Sequence, residues 1–226
     1  MDARRVSFSS DGETTDGFLA LPESERGPGV MVIQEWWGLV PHIEDVSRRF
    51  ANEGFVALAP DLYHGHPAKS PDDAGKLMMA LDIHGAESDF KGAVTYLKNL
   101  PAVTSKGLGV VGFCMGGQLA LYAASKNPDI VAAVDFYGIH PNVKPDFNAM
   151  KAAVLGFFAE NDKSVPPAAV RELEKKIRDA GNEAEMHIYP GTQHAFFNDT
   201  RPEVYDAKAA QESWARMLEF FRKRLT

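Results

Sequence analysis

Five short, largely apolar runs constrain the fold of this chain more than any other feature: Val30-Met31-Val32-Ile33, Phe55–Ala59, Leu108–Phe113, Ala132–Phe136 (broken once, by Asp135) and Ala153–Phe158. A strand with one wet face alternates apolar and polar residues. A strand that is apolar on both sides must be covered on both faces, as in a parallel sheet. Amphipathic helical patterns separate the runs. Ile43–Glu53 aligns Ile43, Val46 and Phe50, with Gly54 to end the helix. Ser88–Leu100 aligns Phe90, Val94 and Leu97 ahead of Pro101, and Val170–Ala180 aligns Val170, Leu173 and Ile177 ahead of Gly181. Ala207–Phe221 carries Ala207, Ala210, Trp214, Met217 and Phe221 on one stripe, and Gln118–Ser125 is short and rich in small residues. These stripes predict core packing. Arg4–Ser10 and Gly17–Leu21 read as an N-terminal hairpin, Glu185–Tyr189 as a last, more polar strand, and Tyr63–Asp82 as a loop with a short helix. The expected fold class is α/β, a mainly parallel central sheet with helices on both faces.

A length of 226 residues suits one such core, so residues 1–226 are read as a single domain. With 45% hydrophobic and 24% charged residues, the composition is that of a folded globular chain. The formal net charge of −7 and the lack of a long Lys/Arg block argue against a polyanionic partner such as nucleic acid. Arg222-Lys223-Arg224 reads as the cationic end of a helix. No apolar stretch is long enough to span a bilayer, and the segment after Met1–Arg5 alternates like a strand and does not resemble a signal core. The expectation is a cytoplasmic protein with no membrane partner, acting on a small molecule as a monomer or small homo-oligomer.

The one cysteine, Cys114, excludes an intrachain disulfide and a cysteine metal cluster within the chain. A lone cysteine is usually a small buried hydrophobe. Here it sits in Gly112-Phe113-Cys114-Met115-Gly116-Gly117, between an expected strand and an expected helix. That is a Gly-x-nucleophile-x-Gly elbow with cysteine in the usual serine place. The glycines let backbone segments pass closely. The helix start offers N–H donors and positive potential, which favour a thiolate and a developing oxyanion. The alternative is an inert tight turn. A dinucleotide-binding turn fits poorly, since Gly-x-Gly-x-x-Gly is absent.

An elbow hydrolase needs an acid and then a histidine further along the chain. Asp162 follows the run Ala153–Phe158, and His194 follows Glu185–Tyr189, so both fall on loops beyond strand ends. In that order His194 would relay the thiol proton to the leaving alcohol, and Asp162 would orient the imidazole. Each has an ordinary reading as well. Asp162 can cap a helix beginning near Pro166, Glu160 is a rival acid, and His194 alone would be a surface histidine. His64 and His66 specify no third metal ligand and read as a solvated loop.

Taken with Gln34-Glu35-Trp36-Trp37-Gly38, Ala59-Pro60-Asp61-Leu62-Tyr63, Phe136-Tyr137-Gly138, Glu160-Asn161-Asp162 and His194-Ala195-Phe196, the elbow resembles the dienelactone hydrolase (carboxymethylenebutenolidase) family over nearly the whole chain. The resemblance implies an α/β-hydrolase fold and hydrolysis of an ester or enol-lactone through a thioester on Cys114, without a cofactor or metal. It also implies that Glu35 contacts the resting thiol and helps form the thiolate. The fold's general geometry then points to the N–H groups of Trp36 and Met115 as the oxyanion hole. Trp37, Tyr63, Tyr137, Phe196, Asn198 and Arg201 are expected around the substrate. Family members that act on dienelactone hold its carboxylate with arginines, one of them shortly after the histidine. Here Asn198 stands four residues after His194, Arg201 is displaced, and Tyr63–Asp82 offers Lys69 and Lys76 but no arginine. Neutral esters are therefore expected to be turned over at least comparably. Two rival readings are a catalytically silent ligand-binding protein on the same fold and a glutamine amidotransferase-like protein. In the latter a histidine commonly follows the cysteine, where this chain has Met115.

Overall fold

The computed structural model describes residues 1–225. Among them, eight strands form one sheet: β1 (Asp2–Ser10), β2 (Glu13–Leu21), β3 (Gly29–Ile33), β4 (Val56–Pro60), β5 (Leu108–Phe113), β6 (Ile130–Phe136), β7 (Ala153–Ala159) and β8 (Ala184–Tyr189). The helices are α1 (Pro41–Asn52), α2 (Pro71–Ala80), α3 (Ile83–Asn99), α4 (Met115–Lys126), α5 (Pro167–Asp179) and α6 (Ala207–Arg224). The spatial order is β1-β2-β4-β3-β5-β6-β7-β8. β3 to β8 run parallel, while β2 is antiparallel both to β1 and to β4. The β1–β2 turn places Asp11 and Gly12 at φ 47 and 88, the left-handed values that tight hairpins need.

The apolar runs become the buried centre of the sheet. Every residue of β3, β4 and β5 is buried. Alternate side chains serve opposite layers. Val30 and Val32 pack with Ile43, Val46 and Phe50 of α1 and with Met217 and Phe221 of α6. Met31 and Ile33 pack with Phe90 and Leu97 of α3 and Leu119 of α4 on the other face. Period two in the strands and the helical stripes thus meet in two cores.

The sequence pattern placed some boundaries too far in. α3 begins at Ile83, ahead of the expected Ser88, because the Asp82 side chain accepts the His84 N–H (3.0 Å) and caps an earlier turn. The irregular stretch Tyr63–Asp82 contains a full helix, α2, capped by Ser70 Oγ accepting the Asp73 N–H at 3.2 Å. Only Ala74 of α2 is buried, so its weak apolar pattern reflects a helix that lies on the surface.

β3 has β4 on one side and β5 on the other. The chain leaving β3 enters α1 on one face, and the chain leaving β5 enters α4 on the opposite face. Their diverging loops open a crevice at the carboxyl ends of the two strands, the place where parallel α/β sheets bind ligands.

Candidate active site

β5 ends at Phe113 and α4 starts at Met115, so Cys114 alone makes the turn. It does so at φ 55 and ψ −125, a backbone state that costs a non-glycine residue about 1–3 kcal/mol. Neighbouring backbone holds it there. The Cys114 N–H donates to the Phe136 carbonyl (3.0 Å), and the Cys114 carbonyl accepts from the N–H groups of Gly117 (2.9 Å) and Ile139 (3.2 Å). A Cβ on Gly112 would lie 1.8 Å from the Gly116 carbonyl oxygen, and one on Gly116 would lie 2.3 Å from that of Gln34. Close approach of backbone explains both glycines.

Asp162 and His194 meet beside this turn. His194 Nδ1 donates to Asp162 Oδ2 at 2.6 Å, which leaves Nε2 as the free ring nitrogen. The other carboxyl oxygen, Oδ1, accepts the N–H groups of Ser164 (2.8 Å) and Val165 (3.1 Å). Burial works against ionisation of Asp162. The His194 bond and charge and the two N–H bonds outweigh it and hold the carboxyl below its ordinary pKa. For His194 burial likewise opposes the charged form, but hydrogen bonding to Asp162 and Cys114 and the negative charge of both push the ring up to about 10. The rival acid Glu160 is exposed and accepts the Gly191 N–H at 2.9 Å, away from the imidazole.

Glu35 follows β3 and is 2% exposed. Its Oε2 accepts a hydrogen bond from Asn198 Nδ2 at 2.8 Å, and its Oε1 has no partner among the described residues. Met115 is the first residue of α4, where an N–H has no intrahelical acceptor. The Trp36 N–H likewise has no protein acceptor among the described residues.

These groups surround a cavity of about 170 Å³ lined by Glu35, Trp36, Met78, Cys114, Ile139, Ser164, His194, Ala195 and Arg201. Of the six residues expected around the substrate, only Arg201 reaches its wall. Trp37 packs edge-on against Trp36, with ring centroids 5.4 Å apart, and lies outside the cavity. Tyr63 lies behind the elbow, its hydroxyl 3.4 Å from Met115 Sδ. Tyr137 and Phe196 are fully buried, and the Tyr137 ring lies 5.0 Å from that of His194. Asn198 is directed at Glu35. These aromatics brace the site because the sheet's apolar layer continues up to it. Four wall residues, Met78, Ile139, Ser164 and Ala195, were not expected around the substrate; Ala195 belongs to the motif His194-Ala195-Phe196, and Ile139 and Ser164 sit within two residues of other such motifs. Lys76 is exposed and paired with Asp72, away from the cavity. No group of three or more His, Cys, Asp or Glu side chains among the described residues is arranged to hold a metal ion, and His64 lies 3.4 Å from Asp89.

The model of the dienelactone hydrolase family matches residues 15–225. The chain belongs to the dienelactone hydrolase family. It is 40% identical to the protein usf of Aquifex pyrophilus, over 98% of each chain, and 36% identical to a candidate carboxymethylenebutenolidase of Aquifex aeolicus, over 96% of each. The crystal structure of a candidate dienelactone hydrolase from Klebsiella pneumoniae superposes with a TM-score of 0.87 at 30% identity, covering 98% of this chain and 99% of that one. The fold is thus the α/β-hydrolase fold, and the family is one of hydrolases that act on small molecules. Among the described residues, no helix is long and apolar enough to cross a membrane.

Proposed function

We propose that this chain hydrolyses a carboxylic ester or enol-lactone through a covalent thioester on Cys114. The observation that carries the reading is the Asp162–His194 pair at 2.6 Å beside a cysteine held in a strained elbow, with Cys114 and His194 lining one cavity. His194 takes the thiol proton, and the thiolate attacks the carbonyl carbon. The tetrahedral oxyanion is held by the N–H groups of Trp36 and Met115. The intermediate collapses to a thioester as the carbon–oxygen bond breaks, and His194 returns the proton to the leaving alkoxide or enolate. Water, deprotonated by His194, then attacks the thioester. The products are a carboxylic acid and the restored thiol. The imidazolium formed in each half is stabilised by buried Asp162.

Glu35 lines the cavity with its Oε1 unpaired, and Asn198 holds its other oxygen. In this reading Glu35 accepts a hydrogen bond from the thiol at rest, and the proton passes to His194 when the thiolate forms. The steps need only these side chains, the two N–H groups and water.

The direct test is hydrolysis of p-nitrophenyl acetate by the wild type, by protein alkylated with iodoacetamide and by Cys114→Ala. Activity is expected to vanish with the thiol in both, by several orders of magnitude, as when a triad nucleophile is removed. Full activity in Cys114→Ala would overturn the assignment.

A further inference from the structure

The cavity at Cys114 holds about 170 Å³, below the roughly 300–1,000 Å³ of a typical small-molecule pocket. A second cleft of about 460 Å³ adjoins it, and the two share Ile139 and Ser164 as wall residues. The two spaces therefore meet at these side chains. The second cleft runs between the loop after β6 and helix α5. Its walls are largely apolar and include Leu121, Val143, Phe147, Val165 and Leu173. Lys144 and Lys176 also line it, both exposed. Lys176 is paired with Glu172 at 2.6 Å, whereas Lys144 makes no ion pair among the described residues. The acidic wall residue, Asp135, is fully buried, and its Oδ1 accepts the Gly138 N–H at 2.7 Å.

We propose that the cleft between the β6 loop and α5 binds one arm of the substrate, an apolar arm ending in an anionic group that pairs with Lys144. The inference rests on the ester-hydrolase reading of the Cys114 cavity and names the substrate class for it: an elongated ester or lactone carrying an apolar arm and a terminal carboxylate or similar anion. Two independent features support it. The cleft adjoins the Cys114 cavity at Ile139 and Ser164, so a substrate whose carbonyl lies at Cys114 has a larger, mostly apolar space beside it. The cleft also carries an unpaired cation, which matches an anion at the far end of an arm.

Ala169 provides a clean block. It is exposed on α5, lines the cleft and touches none of the groups placed around the thiol. Ala169→Trp should fill the cleft, and Lys144→Glu should reverse its charge. The first measurement is calorimetric binding of 4-phenylbutanoate, an apolar arm with a carboxylate, to the full chain. Binding is expected to weaken on the order of tenfold or more in Ala169→Trp, and more modestly in Lys144→Glu. Equal binding to wild type and Ala169→Trp would overturn the proposal, whatever the chain hydrolyses. The second measurement is kcat/KM on p-nitrophenyl acetate and on esters lengthened on the acyl side or the alcohol side, with and without a terminal carboxylate. In one of the two series kcat/KM should rise, by up to roughly fourfold per methylene buried. That gain should disappear in Ala169→Trp while acetate hydrolysis stays unchanged, and Lys144→Glu should remove the carboxylate's advantage. Flat profiles in both series would overturn the cleft as a substrate arm site. Failure of the ester-hydrolase reading looks different: no Cys114-dependent acetate hydrolysis at all.

Discussion

Asn198 and Glu35 are 163 residues apart in sequence and joined by a hydrogen bond of 2.8 Å, with both side chains buried. The amide neutralises no charge, yet it holds Oε2 of the carboxylate and leaves Oε1 unpaired. In Asn198→Ala Oε2 loses this partner, and an unsatisfied buried acceptor costs about 1–3 kcal/mol. The melting temperature and kcat/KM on p-nitrophenyl acetate should both fall, the latter by about tenfold, equivalent to about 1.4 kcal/mol. Asn198→Asp separates positioning from mere packing. Two carboxyls would then share the site and one would hold its proton to a higher pH. The acid limb of the pH–rate profile should move upward. An unmoved profile would remove Glu35 and Asn198 from the mechanism.

His194 reports on the thiol. Its ring is raised to about 10 partly through Cys114, so Cys114→Ala should bring it down towards 6.5. Asp162 should retain part of the rise. NMR titration of the His194 ring measures both values, and an unchanged value would mean that the two side chains do not interact. The same shift sets a stability window. A ring whose folded value lies above 6.5 contributes its full stabilisation below that pH and loses it as the pH rises through about 10.

Much of this was legible in the sequence, for identifiable reasons. β3, β5 and β7 are apolar on every residue because both faces are covered, so their runs stand out. Cys114 could be read because an elbow needs glycines where Gly112 and Gly116 approach backbone. The wall of the cavity was harder to read. Phe196 and Tyr137 look like pocket aromatics in a sequence beside His194 and the elbow, and only the fold shows them buried in the core. Asn198 looked like a substrate contact because spacing from His194 says nothing about direction. Its partner, Glu35, lies on a distant strand end. Met78 was hidden because α2 has almost no buried face to give it a pattern.

Arg201 reaches the cavity wall from a position three residues beyond Asn198. Its Nε donates to the exposed Glu203 carboxylate at 3.0 Å, which offsets part of its charge. It should therefore favour a carboxylate-bearing lactone over a neutral ester only modestly, by less than about a hundredfold in kcat/KM. Arg201→Ala should lower kcat/KM on the charged lactone by about tenfold and leave p-nitrophenyl acetate within about twofold. Equal losses on both substrates would place Arg201 in the fold and not in recognition.

The central claim is a thioester on Cys114, and mass spectrometry of the acylated protein tests it most directly. Enzyme mixed with p-nitrophenyl acetate and quenched in acid within the first turnover should gain one acetyl group, located by peptide mapping on Cys114. The burst of p-nitrophenol should match the concentration of enzyme, and both signals should be absent from Cys114→Ala. An acetyl group on another residue, or a burst that survives in Cys114→Ala, would contradict the account.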